Sequence, residues 1–168
     1  MPLRNNREQW GSVSIALHWL TLLLIFGMAT VGLLMVEMDN GPAKIQVYAL
    51  HKSFGLTVLG LTVLRLLWRL AVGTPRPVRG TPMWQDGLAR MTHGALYVVL
   101  LAVPISGWWF NSAAGFPLRW FSLVHLPKLT TFDPAIKALA KQTHENLFWL
   151  LAGLICVHAA AALWHHYQ

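Results

Sequence analysis

The chain has 168 residues, 55% of them hydrophobic and 11% charged, with a mean hydropathy of +0.48. A soluble domain carries about 25% charged residues, so a water-soluble globule is excluded, and so is a disordered chain, which would be poor in apolar residues. Thirteen Lys and Arg against six Asp and Glu give a formal charge of +7; they lie mostly in connections beside apolar runs, which points to membrane topology and anionic partners rather than nucleic acid.

A helix needs about 20 mostly apolar residues to cross a bilayer. Residues 13–36, 50–72, 88–110 and 147–164, the last extended upstream through His144, meet that length. None alternates as membrane β-strands do, and in lipid a long apolar run satisfies its backbone as helix. The expected fold is all-α: an integral-membrane four-helix up-and-down bundle, one unit over residues 1–168. Arg4 and Arg7 precede the first run as they would a signal peptide. That run exceeds the h-region of about 7–15 residues and carries His18, so it is kept as the first helix.

The connections differ. The first, around 37–44, is short. The second holds Arg69, Arg76, Arg79 and Arg90, and its prolines Pro75, Pro77 and Pro82 stop a helix. The third, about 111–143, holds Arg119, Lys128, Lys137 and Lys141; within it Asp133-Pro134 and residues 135–141 read as a capped short amphipathic helix. In the short segments four Arg face one Lys, which favours cytoplasmic N- and C-termini. Trp10, Trp19, Trp68, Trp84, Trp108, Trp109, Trp149 and Trp164 fall near expected helix ends, as in an interfacial belt. The single cysteine, Cys156, excludes a disulfide framework and any cysteine-built zinc or iron–sulfur site.

Eight histidines carry the functional signal. Ionisable residues inside a span are costly and mark function. His144 and His158 are 14 residues apart, nearly four turns, so they share a side of the fourth helix about 21 Å apart along its axis. Up-and-down topology brings His18 to the depth of His158 and His51 to the depth of His144. Two bis-histidine sites follow, His18 with His158 toward the termini and His51 with His144 at the opposite face. Two imidazoles without thiolate or carboxylate suit haem iron, whereas zinc takes four ligands. Saturated axial positions favour electron transfer over oxygen activation. Gly32 and Gly107 fall at the depth of the second site, where a small residue gives clearance or close helix packing. Arg65, 14 residues after His51, is placed to pair with a haem propionate or to snorkel. His93 has no partner readable from topology; a propionate or a quinone is within its chemistry. His165 and His166 read as interfacial or proton-handling residues.

These residues resemble the bacterial cytochrome b561 family. The matching segments are Ala16-Leu17-His18-Trp19-Leu20, His51-Lys52-Ser53-Phe54-Gly55, the run 63–70 with Thr74-Pro75, His93-Gly94, Pro104-Ile105-Ser106-Gly107, His144-Glu145 and the run 157–167. The resemblance covers nearly the whole chain. The resemblance implies two b haems held by His18, His51, His144 and His158, a bacterial inner-membrane location and an N-terminus in the cytoplasm. It extends to members that oxidise periplasmic superoxide to oxygen and reduce ubiquinone, so the expected activity is that of a superoxide:ubiquinone oxidoreductase. Lys44, Lys52, Arg119, Lys128, Lys137 and Lys141 would supply an attracting field for the anion. His93, His165 and Trp164 would lie near the quinone. The family also contains subunits that relay electrons for a separate redox protein, and that remains the alternative; a non-haem transporter or scaffold is a third reading.

Overall fold

The structure, a computed structural model, describes residues 2–76, 80 and 82–167, with the backbone alone for 165–167. Four helices run up and down: α1 (Ser12–Glu37), α2 (Pro42–Val72), α3 (Met83–Ala113) and α4 (Pro134–Tyr167). Each is long and apolar enough to span a membrane. Consecutive helices pack side by side, α1 on α2, α2 on α3, α3 on α4. The four passes leave the N-terminal segment and the end of α4 on one side, here called the inner end.

The packing is that of a molecule whose solvent is lipid. Large apolar side chains point outward, among them Leu23, Phe26, Leu34, Leu70, Val98 and Leu163. Buried positions are small and often polar: Thr21, Ser53, Thr62, Ser106 and Ser112. Small residues let helix backbones approach where the lipid offers no hydrophobic drive to association. The hydroxyls of Thr21, Ser53 and Thr62 each donate to the carbonyl four residues back, at 2.7, 2.9 and 2.8 Å, so none is buried unpaired. Val99, Leu100 and Leu151 form a tight apolar cluster at mid-bundle, with Ile25, Leu96, Val103, Leu154 and Ile155 packed against it.

Three expectations need correction. The stretch 135–141 is no separate helix. Asp133 caps it, its carboxylate accepting from the backbone N–H of Ala135 (2.8 Å) and Ile136 (3.0 Å), but neither Gly nor Pro follows before His144, and α4 runs on unbroken. Lys137 and Lys141 therefore ride on α4, and Trp149 falls near the middle of that helix, away from its ends. α2 likewise starts at Pro42, eight residues before the expected boundary, because Pro is well suited to the first turn. Finally, the third connection holds a small antiparallel hairpin, β1 (Leu118–Trp120) with β2 (Val124–Leu126), in register Leu118↔Leu126.

That hairpin is latched to α2. Phe121 N–H donates to Ser53 Oγ (3.0 Å), Ser53 Oγ donates to the Arg119 carbonyl (3.3 Å), Trp120 Nε1 donates to Thr57 Oγ1 (3.0 Å), and the Phe121 ring meets Phe54 edge-on. Its tip holds two non-glycine residues at positive φ, Phe121 (46°) and Ser122 (62°). At the inner end, the N-terminal segment folds back on the bundle. The Asn5 side chain donates to the Gly73 carbonyl (2.7 Å) and accepts from Gly11 N–H (2.9 Å) and Ser14 Oγ (2.7 Å). A Cβ on Gly11 would stand 2.5 Å from backbone atoms of Leu3 and Arg4, so only glycine admits this fold-back.

Candidate functional site: two histidine couples inside the bundle

α4 supplies one histidine to each of two levels. At the outer level His144 faces His51 of α2, ring centres 6.4 Å apart and planes 84° apart. At the inner level His158 faces His18 of α1, again 6.4 Å apart, with planes at 68°. Both expected pairings are brought together. An ion about 2 Å from one nitrogen of each ring sets the ring centres about 6 Å apart, so both spacings suit one metal between two imidazoles. Among the described residues, no three His, Cys, Asp or Glu side chains converge as a metal cluster.

Outer-level support comes mainly from α3. His144 Nδ1 lies 2.9 Å from the Val103 carbonyl and 3.0 Å from Ser106 Oγ. Ser106 Oγ donates to the same carbonyl at 2.7 Å. A carbonyl only accepts, so His144 carries its proton on Nδ1 and leaves Nε2 with a free lone pair. Pro104, inside α3, has no N–H and leaves the Leu100 carbonyl without its usual helical donor. His51 Nδ1 is buried without a hydrogen-bond partner. Glycines make room for both rings: a Cβ on Gly32 would stand 3.2 Å from His51 Cε1, and one on Gly107 3.1 Å from His144 Cε1. Their clearance is thus for the imidazoles themselves, at the depth expected.

Two cavities, of about 350 and 700 Å³, meet at this couple. The smaller reaches mid-bundle among Ile25, Met28, Val58, Leu100 and Leu151. The larger runs to the outer end, where Asn40, Lys44, Lys52, Asn111 and Lys137 line it beneath Phe116 and Leu118 of the third connection. One end is apolar and the other basic, which suits a flat apolar ring bearing carboxylates.

The inner level is more crowded. Arg65 Nη2 donates to His18 Nδ1 at 2.8 Å, and the Arg65 and Arg69 guanidinium groups both lie 5.6 Å from the Tyr97 ring centre. Arg65 is at the expected depth, with His18 as its present partner. His93, left without a partner by topology, sits against His158 with ring centres 5.3 Å apart. Trp164 is exposed. The side chains of His165 and His166 lie outside the described residues.

Sequence reasoning missed Val103, Ser106, Tyr97 and Asn111. A backbone carbonyl has no sequence signature, so the partner of His144 could not be read from the chain.

A helical membrane bundle with paired inward histidines defines a membrane cytochrome. The model of the prokaryotic cytochrome b561 family matches residues 9–168. The chain is 33% identical to cytochrome b561 homolog 2 of Escherichia coli strain K12, covering 99% of this chain and 89% of the relative. It is 32% identical to cytochrome b561 homolog 1 of the same organism, over 95% and 91%. A protein named probable superoxide oxidase CybB, from Yersinia pestis, is 28% identical over 95% and 90%. The chain belongs to the prokaryotic cytochrome b561 family. It is a membrane electron-transfer protein, and the family implies b-type haem. Four spanning helices and a prokaryotic family fit the bacterial inner membrane.

Proposed function

We propose that this protein oxidises superoxide at the outer face and reduces ubiquinone, passing electrons between two b haems that His51 and His144, and His18 and His158, would hold. The observation that carries this is the pair of histidine couples at 6.4 Å, stacked on one helix. The likeness to the Yersinia pestis protein supports the choice of superoxide. Haem held by two imidazoles would supply one-electron chemistry. The Val103 carbonyl keeps His144 in the ligating tautomer. At the inner level, Arg65 donates to His18 Nδ1; a His18 that held iron through Nε2 would carry its proton on Nδ1, and the guanidinium would then suit a cofactor carboxylate. His93 lies against His158 and Tyr97 beneath Arg65 at the inner level, which makes these two, with Trp164, candidates for the acceptor region.

Cations surround the outer mouth, and a small anion gains on-rate from such a field. They are not equivalent. Lys141 is paired with Glu145 at 2.7 Å, so its charge is largely offset. Lys44 donates to the Met38 carbonyl (2.6 Å) and Lys128 to the Gly115 carbonyl (3.2 Å). Lys137 lines the larger cavity and is the strongest choice for steering. On this reading the termini are cytoplasmic.

The test is a reduced-minus-oxidised spectrum of purified protein with superoxide and then ubiquinone as titrant. We expect reduction by superoxide, reoxidation by quinone, and loss of pigment on replacing any of the four histidines with alanine. Lys137→Glu should slow superoxide oxidation severalfold at low ionic strength and far less at high salt. Protein that superoxide cannot reduce would instead favour the relay reading, in which a separate redox protein docks at the outer end. Exposed Phe116, Leu123 and Phe132 there favour such a dock.

A further inference from the structure

The outer cavity contains a cation that no acid among the described residues neutralises. Lys52 follows His51 on α2 and is partly buried. Its ammonium donates to Asn111 Oδ1 at 3.2 Å. Asn111 is buried, and its amide nitrogen donates to the Phe116 carbonyl at 3.0 Å. The amide is therefore held with its oxygen toward Lys52, and two of the three ammonium donors remain for something else. No Asp or Glu lines this cavity. The ion pairs among the described residues, Arg90–Asp86 and Lys141–Glu145, leave Lys52 out. Lys44 and Lys137 on the same cavity add positive charge.

A partly buried charge whose only partner is a neutral amide is costly, and an incoming anion offsets that cost. We propose that Lys52, oriented by Asn111, is the seat for a carboxylate carried into the outer site by its ring cofactor. The inference rests on the proposed outer couple. Its own support is geometric. The residue that follows His51 lines the same cavity as both outer imidazoles, and the second cavity that meets it at the couple reaches apolar mid-bundle residues. A ring held by His51 thus meets a cation on the same turn of α2. Lys52 then serves as an anchor and drops out of the steering set.

The experiment compares Lys52→Met, Lys52→Arg and Lys137→Gln in the purified, pigmented protein. Redox-difference infrared spectra of haem labelled with ¹³C at its carboxylates read the anchor directly. In Lys52→Met the labelled bands shift and the midpoint potential of one haem falls. Haem loss to apomyoglobin speeds by about tenfold, the worth of one charge-assisted bond. Lys52→Arg restores most of this, and Lys137→Gln leaves the bands in place. Unmoved bands and potentials in Lys52→Met overturn the proposal. So does a slowed superoxide reaction with bands and potentials unmoved, which would assign Lys52 to the free anion. Failure of the outer couple itself reads differently: His51→Ala and His144→Ala would then keep full pigment.

Discussion

An imidazole whose Nδ1 proton is spent on a carbonyl presents a lone pair on its far nitrogen and little else. His144 is in that state through Val103, with Ser106 buttressing the same oxygen. The arrangement depends on the absence of a side chain at Gly107. A Cβ there would stand 3.1 and 3.3 Å from two atoms of the His144 ring, closer than side chains normally pack. Either the ring or α3 must then give way. Gly107→Ala should therefore lose about half the pigment, since one couple of two is disturbed, while Gly153→Ala, with nothing near its Cβ, should keep all of it. Pyridine-haemochrome content per chain measures both. The four couple-forming histidines were legible because 14-residue spacing and alternating direction put them at shared depths. The fit of each ring was not, because tautomer and clearance depend on backbone atoms of a neighbouring helix.

At the scale of elements, boundaries followed hydropathy less closely than local chemistry. The apolar runs located all four helices, yet α2 and α4 continue well past them into polar sequence. Asp133 and Pro134 start α4 about ten residues above His144, because a capped first turn satisfies its free N–H groups wherever the chain provides one. Asp133→Ala should destabilise the protein by about 1 kcal/mol, seen as a lower melting temperature in detergent. Its spectrum should not change, as His144 lies more than two turns further on. The hairpin left no comparable trace. Its strands are three residues long, and its tip uses Phe121 and Ser122 where glycine would be expected. Non-glycine residues at such angles are disfavoured by about 1–2 kcal/mol each. Here the bonds from Phe121 to Ser53 and from Trp120 to Thr57 hold the tip in place. Tertiary contacts of this kind lie beyond any local pattern.

Across the whole molecule, four passes and two histidine levels follow from the order of apolar runs alone. The cation set at the outer end needed the structure, which separates the paired Lys141 from Lys137. The levels are divided by the apolar cluster of Val99, Leu100 and Leu151. Between them, residues 19–36, 53–64, 94–110 and 146–157 contain no Asp, Glu, Lys, Arg or His. This partition's other titrating side chains, Tyr97 and Cys156, both lie toward the inner level, so no chain of such groups crosses it for a proton to follow, although tunnelling electrons need none. On the proposed reading each turnover is electrogenic. One negative charge moves across most of the dielectric without a compensating ion, against about 2.3 kcal/mol per 100 mV if it crossed entirely. In sealed proteoliposomes an interior-negative voltage should slow inward transfer, and valinomycin with potassium on both sides should release the brake. A rate indifferent to voltage would mean that a cation accompanies the electron through the partition.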